Sequence, residues 1–339
     1  MISKKVWIDI VNPSHPLIFG SIVPRLSNAK VSITVRERAE TVSLMQTFGL
    51  EGKIVGRDFR NPIKKIFSVG WRTLKLYFVQ EKFDYVISFE NTISVGVAKA
   101  RRKPAILMCD NDLKFKQMTS GIQDVESKIK LLADYIIIPQ ACYPAFSTHV
   151  NPQKILTYAG YKEDLYVATY TPDADFMNSL PFSNYVVIRP EALGSFYVTD
   201  KRSIVPELLA LLLEKGVSVV YLPREKEDYA YAEGFEVYIP PTPLNGLDLC
   251  YYADAVLTGS GTMAREAACL GRKAVSFFPG ENLLSVDQAL IDEGRIFHSR
   301  NAEEIVQYVF SDDGISAVNN SKAVLDDVMG KINGIISEV

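Results

Sequence analysis

The sequence predicts an α/β protein made of two Rossmann-like, doubly wound domains that face a shared cleft. Three observations carry this. The chain has 339 residues, too many for one comfortable core and enough for two domains of roughly 150 residues each. Short runs rich in Val and Ile alternate with longer stretches of helical period in both halves. The short runs are almost continuously apolar, as parallel strands are when helices cover both faces of their sheet.

In the first half, strands are expected at 4–11 (KKVWIDIV), 30–36, 84–89, 104–108 and 134–139. AETVSLMQTFGL (39–50) has helical spacing and ends near Gly49. The second half repeats the scheme, with strands expected at 184–190, 217–223, 235–240, 254–259, 273–279 and 295–299. SIVPELLALLLEKG (203–216) is a helix closing on Gly216. NAEEIVQYVF (301–310) opens with an Asn cap and carries Glu304 at the third helical position, the pattern of a capping box. From 158 to 183 no period is evident, so the join is placed there. This divides the chain into a first domain over 1–165, a second over 183–320, and a C-terminal helix over 321–339 expected to pack back on the first. Sheets of this kind bind ligands beyond the carboxyl ends of their strands.

Hydrophobic residues make up 47% of the chain and charged residues 23%, the balance of an ordinary globular enzyme. A net charge of −3 argues against a nucleic-acid partner, which would call for a basic surface. Cys109, Cys142, Cys250 and Cys269 have no CxxC spacing, so neither a disulfide framework nor a zinc site is expected. The apolar run at the N-terminus is broken by Asp9 and reads as a strand, not a secretion signal. No apolar run approaches the ~18 residues that span a bilayer. A cytoplasmic protein is expected, with membrane contact confined to its surface.

The most informative stretch is DAVLTGSGTMAREAACLG (254–271): a strand, a glycine-bearing turn and a helix. Gly259 and Gly261 would let the backbone reach positive φ and approach a ligand. The unpaired N–H groups at a helix start, together with its dipole, favour a phosphate. Ser260 and Thr262 add hydroxyls, and Glu266, one turn further, suits the vicinal hydroxyls of a ribose. This is neither a GxGxxG fingerprint nor a Walker A sequence. On its own, a tight turn capped by Ser and Thr is the plainer reading. What adds weight is its place after a late strand of the second domain.

With the two-domain plan, TGSGTMAREAACLGRKAVSFFPG (258–280) resembles the glycosyltransferase-B superfamily. Within it, the chain is similar to MurG-type N-acetylglucosaminyltransferases and to non-hydrolysing UDP-N-acetylglucosamine 2-epimerases. VWIDIVNPSHPLIFGSIVPRL (6–26) and IRPEALGSFYV (188–198) further resemble an uncharacterised, largely archaeal family of that superfamily. The resemblance implies that Ser260, Gly261 and Thr262 touch the diphosphate of a UDP-sugar and Glu266 its ribose. The base would rest near PPTPLNG (240–246). It also implies no metal and no cofactor, the nucleotide-sugar being the substrate. Arg189, at the end of the 184–190 strand, either neutralises a leaving diphosphate or closes a strand-end salt bridge.

On the first domain, His15 lies in the loop after the first strand, where related transferases carry a histidine. An imidazole titrating near neutrality suits a general base for an acceptor hydroxyl, and a loop histidine bonding backbone is the alternative. Glu90, Asn91, Asp110 and Asp112 follow strands, where carboxylates serve acid–base work or sugar binding; helix capping is the plainer reading for Asn91 and Asp112. The epimerases resembled here usually carry an aspartate where this chain has Asn91, and a histidine where it has Ile188. Glycosyl transfer is therefore the favoured reaction, with 2-epimerisation and a non-catalytic nucleotide-sugar-binding protein as alternatives.

Residues 57–82 hold seven Lys and Arg against two acidic residues. Ile63, Ile66, Phe67, Trp71, Leu74 and Phe78 share one helical face, while Lys64, Lys65, Arg72 and Lys75 lie elsewhere. Two readings stand: a helix packed by its apolar face with its basic face in water, or a surface meeting anionic lipid head groups.

Overall fold

The computed structural model describes residues 3–38, 40–59, 61–116, 122–193, 202–312 and 320–337. It divides into two compact units, Met1–Ala168 with Ser321–Val339, and Thr169–Asn320.

The first unit is built on seven strands: β1 (Lys4–Ile10), β2 (Ala29–Glu37), β3 (Lys53–Arg57), β4 (Tyr85–Phe89), β5 (Ala105–Met108), β6 (Tyr135–Pro139) and β7 (Ile155–Tyr158). Their order is β3-β2-β1-β4-β5-β6-β7, and every pairing is parallel. The apolar run of β1 is central because it is covered on both faces: Val6, Trp7, Ile8 and Ile10 are inaccessible to solvent. β3 and β7 go beyond the strands expected from sequence. The first is an edge strand, so its Lys53 and Ile54 face solvent and its pattern carries little apolar signal.

The second unit holds β8 (Val186–Arg189), β9 (Val219–Tyr221), β10 (Ala255–Thr258), β11 (Ala274–Ser276) and β12 (Phe297–His298), ordered β12-β11-β10-β8-β9 and again all parallel. The run at 235–240, expected as a strand, makes only an isolated bridge between Val220 and Tyr238. The Val205–Glu214 helix buries Val205, Leu208, Leu209 and Leu212 against this sheet, then ends as Gly216 turns to φ 73°. The capping box expected at Asn301 is half formed. Asn301 Oδ1 accepts from the Glu303 and Glu304 N–H groups, but Glu304 accepts from Ser299 Oγ at 2.6 Å rather than reaching back.

Each sheet has one point where consecutive strands run off in opposite directions, β1/β4 in the first and β8/β10 in the second. Loops on either side of such a point diverge and leave a crevice beyond the strand ends, where doubly wound sheets bind ligands.

Two segments depart from expectation. The stretch 158–183, without readable period, contains the Lys162–Val167 helix, whose start is tied by Asp164 Oδ2 accepting from the Tyr161 N–H at 2.8 Å. The Ser321–Ser337 helix belongs to the same unit: Ser321 Oγ donates to Asp164 Oδ1 at 2.6 Å and Tyr85 OH to the Ile335 carbonyl at 3.3 Å.

The other departure is the Pro62–Val79 helix. Its apolar face does not pack inward: Ile66, Phe67, Trp71, Leu74 and Phe78 are 55–80% exposed. Arg72, expected on the solvated basic face, is buried instead, with Leu76 one turn on. Ile63 and Lys65 lie outside the described side chains. The inversion has a physical cause. Arg72 donates to Asp9 through Nη1 at 2.9 Å and Nη2 at 2.6 Å, and through Nε to the Val55 carbonyl at 2.7 Å. A bidentate arginine–carboxylate pair of this kind, once buried, cannot lose either partner cheaply. Gly56 on β3 makes room for it: at φ 84°, a Cβ there would meet Arg72 Cδ at 2.9 Å.

Candidate functional site

The crevice of the second unit is formed by the ends of β8 and β10. Thr258 pairs with Arg189, and the Gly259 N–H donates to the Arg189 carbonyl at 3.0 Å. Arg189 is therefore fixed beside the glycine turn by the sheet itself. Its Nε is buried and has no hydrogen-bond partner among the described residues. The Gly261–Cys269 helix starts immediately after the turn. Ser260, its N-cap, makes no side-chain cap bond, and no acidic residue lies in the first turn. Its leading N–H groups thus point past the strand ends without a side-chain acceptor at the cap.

Gly259 is required for a reason other than the one expected, and Gly261 abuts the end of a buried side chain. Neither adopts positive φ. A Cβ on Gly259 would instead lie 2.5 Å from Glu191 Cα, and one on Gly261 would lie 2.7 Å from Arg265 Nη1. The turn is closed tightly by its own neighbours. Glu191 is buried and accepts from Ser203 Oγ at 2.7 Å, the Ile204 N–H at 3.1 Å and Arg300 Nη1 at 3.2 Å. Arg265 is buried under the helix start, 2.5 Å from Asp287 Oδ1 and 3.4 Å from Thr262 Oγ1.

Glu266 shares this neighbourhood. Burial pushes the Cys250 thiol pKa up, the Glu266 carboxylate adds to the rise, and Arg189 opposes it. The sheet register and the helix start thus bring Arg189 beside the Gly259–Thr262 turn, with Glu266 one turn further along the helix. PPTPLNG leads into the Gly246–Tyr252 helix, whose cap Asn245 accepts from the Leu247 N–H at 3.0 Å. Of the segment 188–198, residues 194–198 lie outside the described residues.

In the first unit the strand ends gather His15, Glu90 and Asp110. Glu90 holds a left-handed backbone at φ 47°, a conformation that costs a non-glycine residue about 1–3 kcal/mol. It is retained by its bonds: Oε1 accepts from the Asp110 N–H at 3.1 Å and the Asn111 N–H at 3.0 Å, and Oε2 pairs with Lys130. Burial works against the Lys130 charge, but Glu90 outweighs it and holds the Lys130 pKa above its ordinary value. Lys162 Nζ lies 2.8 Å from Asp110 Oδ2 and 3.6 Å from Glu163 Oε1. It also stands 5.9 Å from the centre of the Phe89 ring, whose edge meets His15 with 5.7 Å between ring centres.

His15 does not titrate near neutrality. Burial first, then the positive charges of Lys162, Arg36 and Arg38, lower its pKa to about 3. The imidazole is neutral, with Nδ1 3.4 Å from the Val11 N–H and Nε2 3.4 Å from Asn12 Nδ2. The near-neutral pKa that made it a base candidate is therefore removed by its surroundings. Asn91 is the N-cap of the Thr92–Ala100 helix, accepting from the Ile93 N–H at 3.1 Å, and its Nδ2 donates to Asp9 Oδ2 at 2.7 Å. Asp112 is fully buried, and Ile188 lies in the core of the second sheet.

Sequence reading passed over Lys130, Lys162, Glu191, Arg265 and Asp287. Lys162 carried one usable signal, two acidic residues opening a helix directly after a strand. Lys130 and Asp287 carried none, being single charges within ordinary amphipathic helices. Among the described residues, no group of three or more His, Cys, Asp or Glu is placed to hold a metal ion, and no helix is long and apolar enough to cross a membrane.

A family model described as "Protein of unknown function (DUF354)" matches residues 4–333. A Methanocaldococcus jannaschii protein described as "Uncharacterized protein MJ0665" is 25% identical over 323 residues, covering 91% of this chain and 92% of its own. Among solved structures, UDP-N-acetylglucosamine 2-epimerase from Rickettsia bellii matches with a TM-score of 0.73 at 16% identity, over 99% of this chain and 96% of that one. The S. aureus MnaA–UDP co-structure matches with a TM-score of 0.71 at 13% identity, over 97% of each chain. These likenesses are of fold: two parallel-sheet units of the glycosyltransferase-B type.

Proposed function

The chain belongs to the DUF354 family of proteins of unknown function, and we propose that it is a nucleotide-sugar-dependent glycosyltransferase with a uridine-linked donor. The observation that carries this reading is the β8/β10 crevice. There the sheet register sets Arg189 beside a helix start whose N-cap, Ser260, makes no side-chain cap bond. An arginine and a helix N-terminus aimed at one crevice suit a diphosphate. The fold likeness to a UDP co-structure supports uridine as the nucleoside.

In this reading Ser260, Gly261 and Thr262 hold the diphosphate and Glu266 the ribose, with the base near 240–246. An acceptor hydroxyl oxygen attacks the anomeric carbon of the sugar. The bond from that carbon to the diphosphate oxygen breaks, and its electron pair leaves with UDP. Arg189 and the helix start neutralise the charge that develops there. The acceptor's proton passes to a general base, a role His15 does not fill, because an imidazole of pKa about 3 is too weak for the task. Within the first unit, Lys162 pairs with the Asp110 carboxylate, and Glu90 positions the Asp110 loop through its two N–H bonds.

The test is a thermal-shift panel of nucleotide diphosphates and nucleotide-sugars, followed by turnover in heavy water with the ligands that bind. Ligand binding to the native state raises stability by mass action. UDP released only when an acceptor is present, with no deuterium entering the sugar, is the expected outcome. The fold likeness to an epimerase keeps 2-epimerisation as a second reading. Deuterium entering at the second carbon of UDP-N-acetylglucosamine without acceptor would establish it instead. Binding with neither reaction would point to a nucleotide-sugar-binding protein.

A further inference from the structure

The Pro62–Val79 helix presents a face that an isolated soluble unit has no reason to keep. Ile66, Phe67, Trp71, Leu74 and Phe78 recur at spacings of three and four residues, so they form one continuous stripe. Their exposures are 68%, 80%, 66%, 55% and 76%, and Tyr77 on the same side adds 39%. Single exposed apolar side chains are ordinary, but a contiguous patch of several hundred Å² marks an interaction surface. Large aromatics, at about 150–250 Å² each when covered, take this stripe past that size.

The stripe cannot turn inward. Rotating the helix would withdraw Arg72 from Asp9 and leave a buried carboxylate without its cation. Asp9 is held by three further bonds, from Thr34 Oγ1 at 2.5 Å and from Asn91 Nδ2 to its Oδ2 at 2.7 Å and its carbonyl at 3.1 Å. The outward orientation is therefore imposed by the polar core of the unit.

Charge decides what covers the stripe. The helix contains Lys64, Lys65 and Lys75 besides Arg72, and no acidic residue. Exposed Lys64 and Lys75 border the stripe on the Trp71 and Phe78 side, at offsets of three, four and seven residues. We propose that this face docks on an anionic lipid surface, the aromatic side chains entering the head-group boundary and the lysines meeting lipid phosphates. Trp and Tyr favour that boundary, and lysine stems reach back from it to the charged layer. A second copy of the chain fits less well. An antiparallel two-fold pairing about the middle of the helix sets Lys64 of one copy against Lys75 of the other, with no acid on either helix to offset them. The proposal is independent of the nucleotide-sugar reading.

The chain has two tryptophans, Trp7 fully buried and Trp71 exposed, so a change in emission on binding reports Trp71. The full-length protein is mixed with phosphatidylcholine vesicles, with and without phosphatidylglycerol, and followed by emission and co-sedimentation. A blue shift with co-sedimentation on the anionic vesicles is expected, weakening as salt is raised. Lys64→Gln and Lys75→Gln should each weaken partition roughly fivefold, the equivalent of about 1 kcal/mol per surface lysine. Phe67→Ser with Phe78→Ser should abolish it while leaving the urea midpoint unchanged, since both side chains are exposed in the free protein. Three outcomes overturn the proposal: no shift on any vesicle, an equal shift on neutral and anionic vesicles, or a blue shift without lipid as protein concentration rises and the sedimenting mass doubles. The last would assign the face to a second copy.

Discussion

The two strand crossovers are built from the same topology and filled in opposite ways. At β1/β4 the crevice floor is closed by protein: Arg72 fills the space beside Asp9, Asn91 caps its helix and bonds Asp9, and His15 is packed against Phe89. At β8/β10 Gly259 packs against Glu191 and the N-cap Ser260 makes no side-chain cap bond. The first crevice ties its central polar groups to one another, whereas the second leaves the Arg189 Nε without a partner among the described residues. The lesson is that fold likeness alone does not assign a crevice; the hydrogen-bond partners of its rim do.

The largest effect that would break this comparison is expected at Arg72. Arg72→Met leaves Asp9 buried without its cation and should cost about 3–5 kcal/mol in urea unfolding. Asp9→Asn added to it should restore part of that loss. A small effect of the single variant would mean that the first crevice is not closed by this pair.

Next comes Glu266. Glu266→Ala should weaken UDP-sugar binding by about 1–3 kcal/mol, measured by calorimetry. Equal affinity in the variant would remove Glu266 from the ribose and leave the second crevice with a different ligand.

His15 tests the first crevice through pH. Its folded pKa, about 3, lies below the ordinary 6.5. The unfolded chain therefore takes up a proton below pH 6.5 that the folded chain refuses. Its contribution is fully present above 6.5 and is lost as pH falls toward 3, at about 1.4 kcal/mol per pH unit. His15→Gln should remove that slope from the urea midpoints between pH 4 and 6.5. Parallel slopes in the two proteins would show that the imidazole is hydrated after all.

The smallest effect is expected at Ser260. Its side chain makes no cap bond, so Ser260→Ala should alter stability by only a few tenths of a kcal/mol, against about 1–2 for Asn91→Ala, which loses a working cap. Similar losses at the two caps would erase the difference between the crevices.

Much of this architecture was legible in the chain. Continuous apolar runs such as VWIDIV and YVVIR announced parallel strands because burial on both faces leaves no polar side to alternate. The glycine-bearing turn after β10 was legible as a crevice element because a strand, a turn and a helix start are local facts. What the glycines do there was not. Gly259 leaves room for Glu191, 68 positions away, which meets it only in three dimensions.

By itself, then, the sequence determined the fold class, most of the strands and the place of the second crevice, since these follow from periodicity and from residues adjacent in the chain. Only the tertiary structure decided which face of the Pro62–Val79 helix looks outward, that His15 is neutral, and that Lys130 and Lys162 hold the first-unit carboxylates. The reason is the same in each case. A charge's worth depends on what surrounds it, and Asp9 meets Arg72 across 63 residues, as Glu90 meets Lys130 across 40. No local pattern records which distant charge will be buried beside another, and burial of that pair then overrides the apolar stripe that the pattern does record.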